Sequence, residues 1–253
     1  MTDASPATPV LRLRDIDWRV GGATIIDDVS LNVREGEFIA FIGPNGAGKT
    51  SLFNLISGIA PVSGGTIELG GTDITAQPVH ERARAGLGRT FQTSSLWPAM
   101  TVAGHVRLAA QAAAGGSLRL WHRAAGFADQ VGQVLDRTGL THRTDTVAGA
   151  LSHGEKRKLE LAVLLAGEPR LMLLDEPMAG VSAEEVPALT ALIRSLHQDE
   201  GRTVLMIEHH MDTLLGLADR LAVMHHGTLL AAGTPQTVMN DPTVQEAYLG
   251  EAL

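Results

Sequence analysis

The sequence contains no cysteine. Disulfide frameworks, thiolate zinc sites and cysteine nucleophiles are therefore excluded. It also lacks a surplus of positive charge: Lys and Arg total 20 against 28 Asp and Glu, a net charge of -8. That balance disfavours a dedicated nucleic-acid binder, although it leaves room for a local basic patch. No stretch is long and apolar enough to cross a bilayer. The best, residues 159–174, is interrupted by Glu160, Glu168 and Arg170. Residues 1–9 are small and polar and have no apolar signal core. Internal repeats and sustained heptads are missing too. A role at a membrane would be played from the water side.

What is present is ordinary for a globular protein, with 44% hydrophobic and 19% charged residues. A chain of 253 residues can bury one sizeable core, which points to one domain with an embedded subdomain. Residues 10–20 predict a strand whose alternation slips by one between Leu11/Leu13 and Ile16/Trp18/Val20, the mark of a bulge. Gly21-Gly22 predicts a turn and 23–26 a return strand. Buried parallel strands are predicted at 37–42, 171–174 and 203–207. Helices are expected from about Gly48 and over 183–197, and helical pattern dominates 94–151. A closing hairpin is expected from 221–224 and 228–232 around His226-Gly227. Alternating strands and helices argue for an α/β fold with a largely parallel sheet.

Gly43, Pro44, Asn45, Gly46, Ala47, Gly48, Lys49 and Thr50 match GxxxxGK[ST] in full. The match follows a predicted strand and opens a predicted helix, as a phosphate-binding loop requires. Glycines let successive N–H groups curl round phosphate oxygens, and the helix N-terminus adds a positive dipole end. Lys49 is a mobile cation for the β/γ-phosphates, and the Thr50 hydroxyl is a Mg²⁺ ligand candidate. A second apolar strand ends in Asp175 and Glu176. At a strand's carboxyl end Asp175 is placed to hold Mg²⁺ and Glu176 to polarise water. Ser152 and Glu155, in Leu151-Ser152-His153-Gly154-Glu155, have the spacing of a capping box. The same helix start, with Gly154, offers free N–H groups to a phosphate.

These residues resemble a known family. Leu151 to Glu155 is similar to the LSGGQ signature of ABC ATPases, with His153 for the first of its two glycines and Glu155 for glutamine. Gln92, in Arg89-Thr90-Phe91-Gln92, resembles the Q-loop; Gly180-Val181-Ser182 sits where the D-loop belongs; His209 resembles the switch histidine. The resemblance runs from Val10 to Glu251. Within the superfamily, Gly88 to Gln92, Pro177-Met178-Ala179-Gly180 and the tail resemble the branched-chain amino acid ATPases.

The resemblance implies a P-loop NTPase of the ABC ATPase fold. Its parts would be a RecA-like mixed-sheet core, an antiparallel β subdomain, and an inserted helical subdomain over 93–160 that ends in the signature. It implies ATP hydrolysis with Glu176, His209 and Gln92 as catalytic residues and Mg²⁺ on Thr50, Gln92 and Asp175. ATP would be bound by residues 43–50 with Ser51 and Trp18, and by Ser152, Gly154 and Glu155 of a second subunit. Trp18 enters because Val20 occupies the place where relatives often carry an adenine-stacking aromatic; core packing is its other reading. Many relatives have Asp after the switch histidine, where this chain has His210, to which no catalytic role is assigned. The doublets His209-His210 and His225-His226 are not expected to bind metal, since adjacent strand residues face opposite ways.

Implied partners are a second ATPase chain, transmembrane permeases and, through them, an extracytoplasmic substrate-binding protein. The implied location is peripheral, on the cytoplasmic face of the plasma (inner) membrane. Leu96, Trp97, Pro98 and Met100 form an apolar cluster suited either to the core or to a groove for a short permease helix. Cargo stays open between branched-chain amino acids, urea or short amides, and lipid export. A soluble ABC ATPase acting on DNA or ribosomes fits poorly, because one cassette with a negative net charge lacks that class's tandem cassettes or long coiled coils. No nucleic-acid partner is expected.

Overall fold

A computed structural model describes residues 9–91, 95–115 and 124–249. Two sheets form the frame. The first is antiparallel, in the order β2-β1-β4-β5, from β1 (Leu11–Val20), β2 (Ala23–Val33), β4 (Gly64–Leu69) and β5 (Thr72–Asp73). The predicted slip in β1 is there: the register shifts between Leu13 and Ile16, with Asp15 at φ 49. This bulge lets Leu11, Leu13 and Ile16 all reach the core. The return strand runs seven residues past Ile26, because Val29, Leu31 and Val33 resume the buried alternation after Asp27-Asp28.

The second sheet has the order β10-β9-β3-β8-β7-β6. Its strands are β3 (Phe38–Ile42), β6 (Leu87–Arg89), β7 (Leu171–Asp175), β8 (Thr203–Ile207), β9 (Arg220–His225) and β10 (Thr228–Gly233). All neighbours are parallel except the β9–β10 hairpin. Every residue of β3, β7 and β8 is buried. Alternate residues serve opposite faces, as the two-residue strand period demands. Ile39, Phe41, Leu173 and Leu205 pack toward α1 (Lys49–Ser57) and the antiparallel sheet. Phe38, Ala40, Leu174 and Met206 pack toward α3 (Val102–Ala113), α4 (Ala124–Arg137), α5 (His153–Ala166) and α6 (Val186–Gln198).

Sequence pattern did not reveal β4, β5 and β6, which are short or glycine-containing. Helix α6 starts at Val186, three residues later than predicted, with Pro187 in its first turn, where a missing N–H costs nothing. No helix among the described residues is long and apolar enough to cross a membrane. Of the apolar run 159–174, one part lies in α5 and the other in β7.

Helix α1 is anchored at its C-terminal end by Arg82 of α2 (Val79–Arg84), one of the most deeply buried side chains. Its guanidinium donates to the carbonyls of Leu55 (2.6 Å), Ile56 (2.8 Å), Thr75 (2.8 Å) and Gln77 (2.9 Å). A cation on the carbonyls of the last helical turn also complements the helix dipole. Arg82→Ala should cost about 3 kcal/mol, because buried carbonyls lose charged donors. Urea unfolding of the variant would measure the loss, and a midpoint equal to wild type would contradict this anchoring.

Candidate functional site

Strand order decides what meets. Strand β8 lies between β3 and β7, and β6 lies beyond β7, so the loops leaving these carboxyl ends share one edge of the sheet. The loop after β3 is residues 43–48. Gly43 has φ 146, and a Cβ there would lie 2.1 Å from the Met224 carbonyl oxygen. Gly48 has φ 98, and its Cβ would lie 2.8 Å from Ile26 Cδ1. No side chain substitutes at either position without moving backbone or core. The N-terminus of α1 has no side-chain cap, so its first-turn N–H groups face the loop. Lys49 is buried and its Nζ donates to the carbonyls of Gly43 (2.6 Å) and Pro44 (2.9 Å). Burial lowers its pKa against the opposing pull of Glu176 and Asp175.

Asp175 ends β7 with 1% exposure. Its Oδ1 accepts from the Thr50 hydroxyl at 3.4 Å, and its Oδ2 accepts from Arg89 at 3.0 Å. Burial raises the carboxyl's pKa, and Arg89 opposes this. Thr50 and Asp175 thus bring together two hard oxygen donors, a set that fits Mg²⁺. Glu176 adopts φ 48, a left-handed backbone that costs a non-glycine residue about 1–3 kcal/mol. Its N–H donates to Ile207 O at 2.9 Å, and its Oε1 lies 3.2 Å from His209 Nε2. Gln92 lies outside the described residues.

The two adjacent histidines diverge. His209 faces Glu176, whereas His210 Nδ1 lies 3.1 Å from Glu208 Oε2. Glu208 is buried and also accepts the backbone N–H of His209 (2.7 Å) and of Met178 (2.9 Å). It therefore ties the histidine loop to the loop that follows Glu176.

At the start of α5 the reciprocal cap is complete: Ser152 Oγ accepts from Glu155 N (3.1 Å), and Glu155 Oε2 accepts from Ser152 N (3.0 Å). Arg143 Nε donates to Glu155 at 2.7 Å. Ser152 Oγ also donates to Glu185 at 2.6 Å, and Ser182 Oγ donates to the other Glu185 oxygen at 3.0 Å. These two hydroxyls hold the Glu185 carboxyl below the ordinary glutamate range. A Cβ at Gly154 would lie 2.7 Å from Glu185.

The structure thus gathers residues 43–50, Asp175, Glu176 and His209, and leaves the signature segment apart. Among the described residues, the side-chain hydrogen bonds and ion pairs of Ser152 and Glu155 go to His142, Arg143, Glu185 and each other. Trp18 is half buried against the core; it pairs with Ile26, the residue that packs on Gly48. Sequence reading missed Arg89, Glu208 and Glu185. Each is a single charged residue in an ordinary setting, and only the fold supplies its partners.

Comparison with known proteins supplies the family. The ABC transporter family profile matches residues 26–179, and that of the branched-chain amino acid ATP-binding cassette transporter matches 228–253. The high-affinity branched-chain amino acid transport ATP-binding protein LivG of Salmonella typhimurium is 39% identical, covering 96% of this chain and 99% of its own. BraF of Pseudomonas aeruginosa, described in the same words, is 38% identical with the same coverage. A crystal structure of the ADP conformation of an ABC transporter's ATP-binding cassette superposes with a TM-score of 0.81 at 30% identity, covering 96% of this chain and 99% of that one.

Glu155 yields a pH test. Burial alone would raise its carboxyl, but the Ser152 N–H and Arg143 outweigh that and lower its pKa. A lowered folded-state value means its stabilisation is complete above the unfolded value and is lost as pH falls through the folded one. Glu155→Gln should lower the thermal midpoint at neutral pH, with the difference vanishing below the ordinary glutamate range. A midpoint difference independent of pH would refute this account of the cap.

Proposed function

The chain belongs to the ABC transporter ATP-binding family, and from that premise we propose that it is the ATP-hydrolysing motor of an importer for branched-chain amino acids. The observation that carries the chemistry is the convergence of Lys49, Thr50, Asp175, Glu176 and His209 on one sheet edge. Cargo is supported by the C-terminal family match and by the names of the relatives.

Lys49 would exchange its two loop carbonyls for phosphate oxygens, alongside the N–H groups of 43–48 and the first turn of α1, including Ser51. Thr50 and Asp175 would hold Mg²⁺, with Gln92 as a further ligand; bound there, the metal neutralises charge on the phosphates. Glu176 would orient the attacking water and receive its proton. His209 would steady Glu176 and meet the γ-phosphate. Trp18, one strand from Ile26 and the loop, would offer its ring to adenine. Catalysis of this kind is mostly positioning and charge stabilisation.

A second ATPase subunit would complete the site. Ser152, Gly154 and Glu155 would face the partner's nucleotide, as their helix start suits an anion. The carboxylate of Glu185 already seated on Ser152 supports this reading. ABC ATPase subunits work with transmembrane permeases. The segment 93–160 would act as the helical subdomain of the single domain 1–253 and carry the permease contact. A cavity of about 330 Å³ there is lined by Phe91, Leu96, Trp97 and Leu108, and Trp97 is 57% exposed. A short permease helix on the cytoplasmic side of the membrane would fill it, while an extracytoplasmic binding protein selects the cargo.

Glu176→Gln should retain ATP binding, slow turnover by about 10²–10⁴-fold, and accumulate an ATP-bound dimer. Phosphate release and size-exclusion chromatography read both effects; near-normal turnover would overturn the role of Glu176. Trp97→Glu should bind ATP like wild type when isolated, yet abolish leucine-stimulated hydrolysis when assembled with its permease subunits. Stimulation by urea in place of leucine would redirect the cargo assignment.

A further inference from the structure

Arg89 touches both the candidate nucleotide site and the apolar cavity. It ends β6, and its side chain is 5% exposed. One arm of the guanidinium donates to Asp175 Oδ2 (3.0 Å) and the other to Ser57 Oγ (2.7 Å). Its plane carbon lies 5.2 Å from the centre of the Phe91 ring and 6.0 Å from that of Phe53. Arg89 and Phe91 both line the cavity that holds Trp97. Arg89 Nε is buried without a hydrogen-bond partner among the described residues, so the guanidinium is held incompletely. A buried donor left unpaired calls for a reason, and a second arrangement of the guanidinium is one.

Asp175 divides its two oxygens between opposite sides. Oδ1 faces Thr50 and the phosphate loop, and Oδ2 faces Arg89. A divalent cation held by Thr50 and Asp175 would draw on the charge that now restrains Arg89, and it would repel the guanidinium across a weakly screened interior. Ser57 and the two aromatic faces remain as alternative stations for Arg89. Any shift bears on Phe91, two residues along, and hence on the cavity wall.

We propose that Arg89 is the positioning residue that reports divalent-cation occupancy of Asp175 to the cavity bearing Trp97. The proposal rests on the nucleotide-site reading above and adds a specific relay to it. By reciprocity, a segment seated in the cavity would alter cation affinity by the factor through which the cation alters the cavity.

The test uses Trp97 as the reporter, in the full chain with Trp18→Phe and Trp121→Phe. Nucleotide binding is first followed in the unsubstituted chain, which keeps Trp18, with a fluorescent ATP analogue in the absence of divalent cation, and the reporter chain must match it. Failure to bind it would count against the nucleotide site itself. Where it binds, Trp97 emission should change on adding Mg²⁺ and not with ATP alone. In Arg89→Gln that change should disappear, while Mn²⁺ affinity measured by paramagnetic resonance rises about tenfold, within the usual range of intersite coupling. Arg89→Lys keeps a buried cation and guards against misfolding. It should restore Mn²⁺ affinity toward wild type but not the full Trp97 response, because ammonium has no planar fork to span Asp175 and Ser57 and stack on Phe91. A wild-type Trp97 response in either variant, unchanged Mn²⁺ affinity in Arg89→Gln, or a wild-type response independent of divalent cation would each overturn the relay.

Discussion

Burial of β3, β7 and β8 on both faces is the constraint from which the rest follows. Fifteen positions, five in each of three strands, are inside, and their side chains divide between two cores. Such strands must be apolar along almost their whole length. Reactive side chains therefore collect where the strands stop. Lys49 and Thr50 follow β3, Glu176 follows β7, and His209 follows β8. Asp175 is the exception that proves expensive: a carboxylate at the buried end of β7, kept tolerable by Arg89 and Thr50. The same demand for apolar strands makes the sheet easy to read in sequence and concentrates the chemistry at one edge.

Precision at that edge comes from short ties rather than from bulk. Glu176 is held in a left-handed backbone by its N–H to Ile207, so its carboxylate is aimed by the neighbouring strand. Glu208 gathers two backbone N–H groups from different loops and thereby fixes where His209 stands relative to Glu176. Arg82 plays a comparable part below the phosphate loop, closing the far end of α1. The ties made by Glu208 and Arg82 each involve a buried charge with several donors or acceptors in place. Removing one partner leaves the other stranded in a medium that cannot solvate it.

The start of α5 obeys a different logic. Its cap is satisfied within the chain, and Glu185 already supplies an anion to Ser152. It makes no hydrogen bond to residues 43–50 among the described residues, so within one chain the two segments stand apart. That separation is what a head-to-tail pair of subunits would join. It also gives Glu185 a consequence in the proposed assembly, where a phosphate would compete with its carboxylate for the same hydroxyl.

Much was legible without coordinates because it rests on local rules. The phosphate loop needs glycines at fixed offsets followed by Lys49 and Thr50. The cap needs Ser152 and Glu155 three apart. The buried strands need unbroken apolar runs, and the bulge in β1 announces itself as a slip in alternation. These features depend on backbone geometry over a few residues, so their spacing alone determined them. The partners of Asp175 were decided elsewhere: Arg89 is 86 positions away and Thr50 is 125 away. Glu208 reaches Met178 across 30 residues and Ser152 reaches Glu185 across 33. Single charged residues carry no periodicity to mark them, and β6, only three residues long, was too short to predict. Only the strand order, which sets β8 between β3 and β7 and lays β6 alongside, determines which of these charges meet.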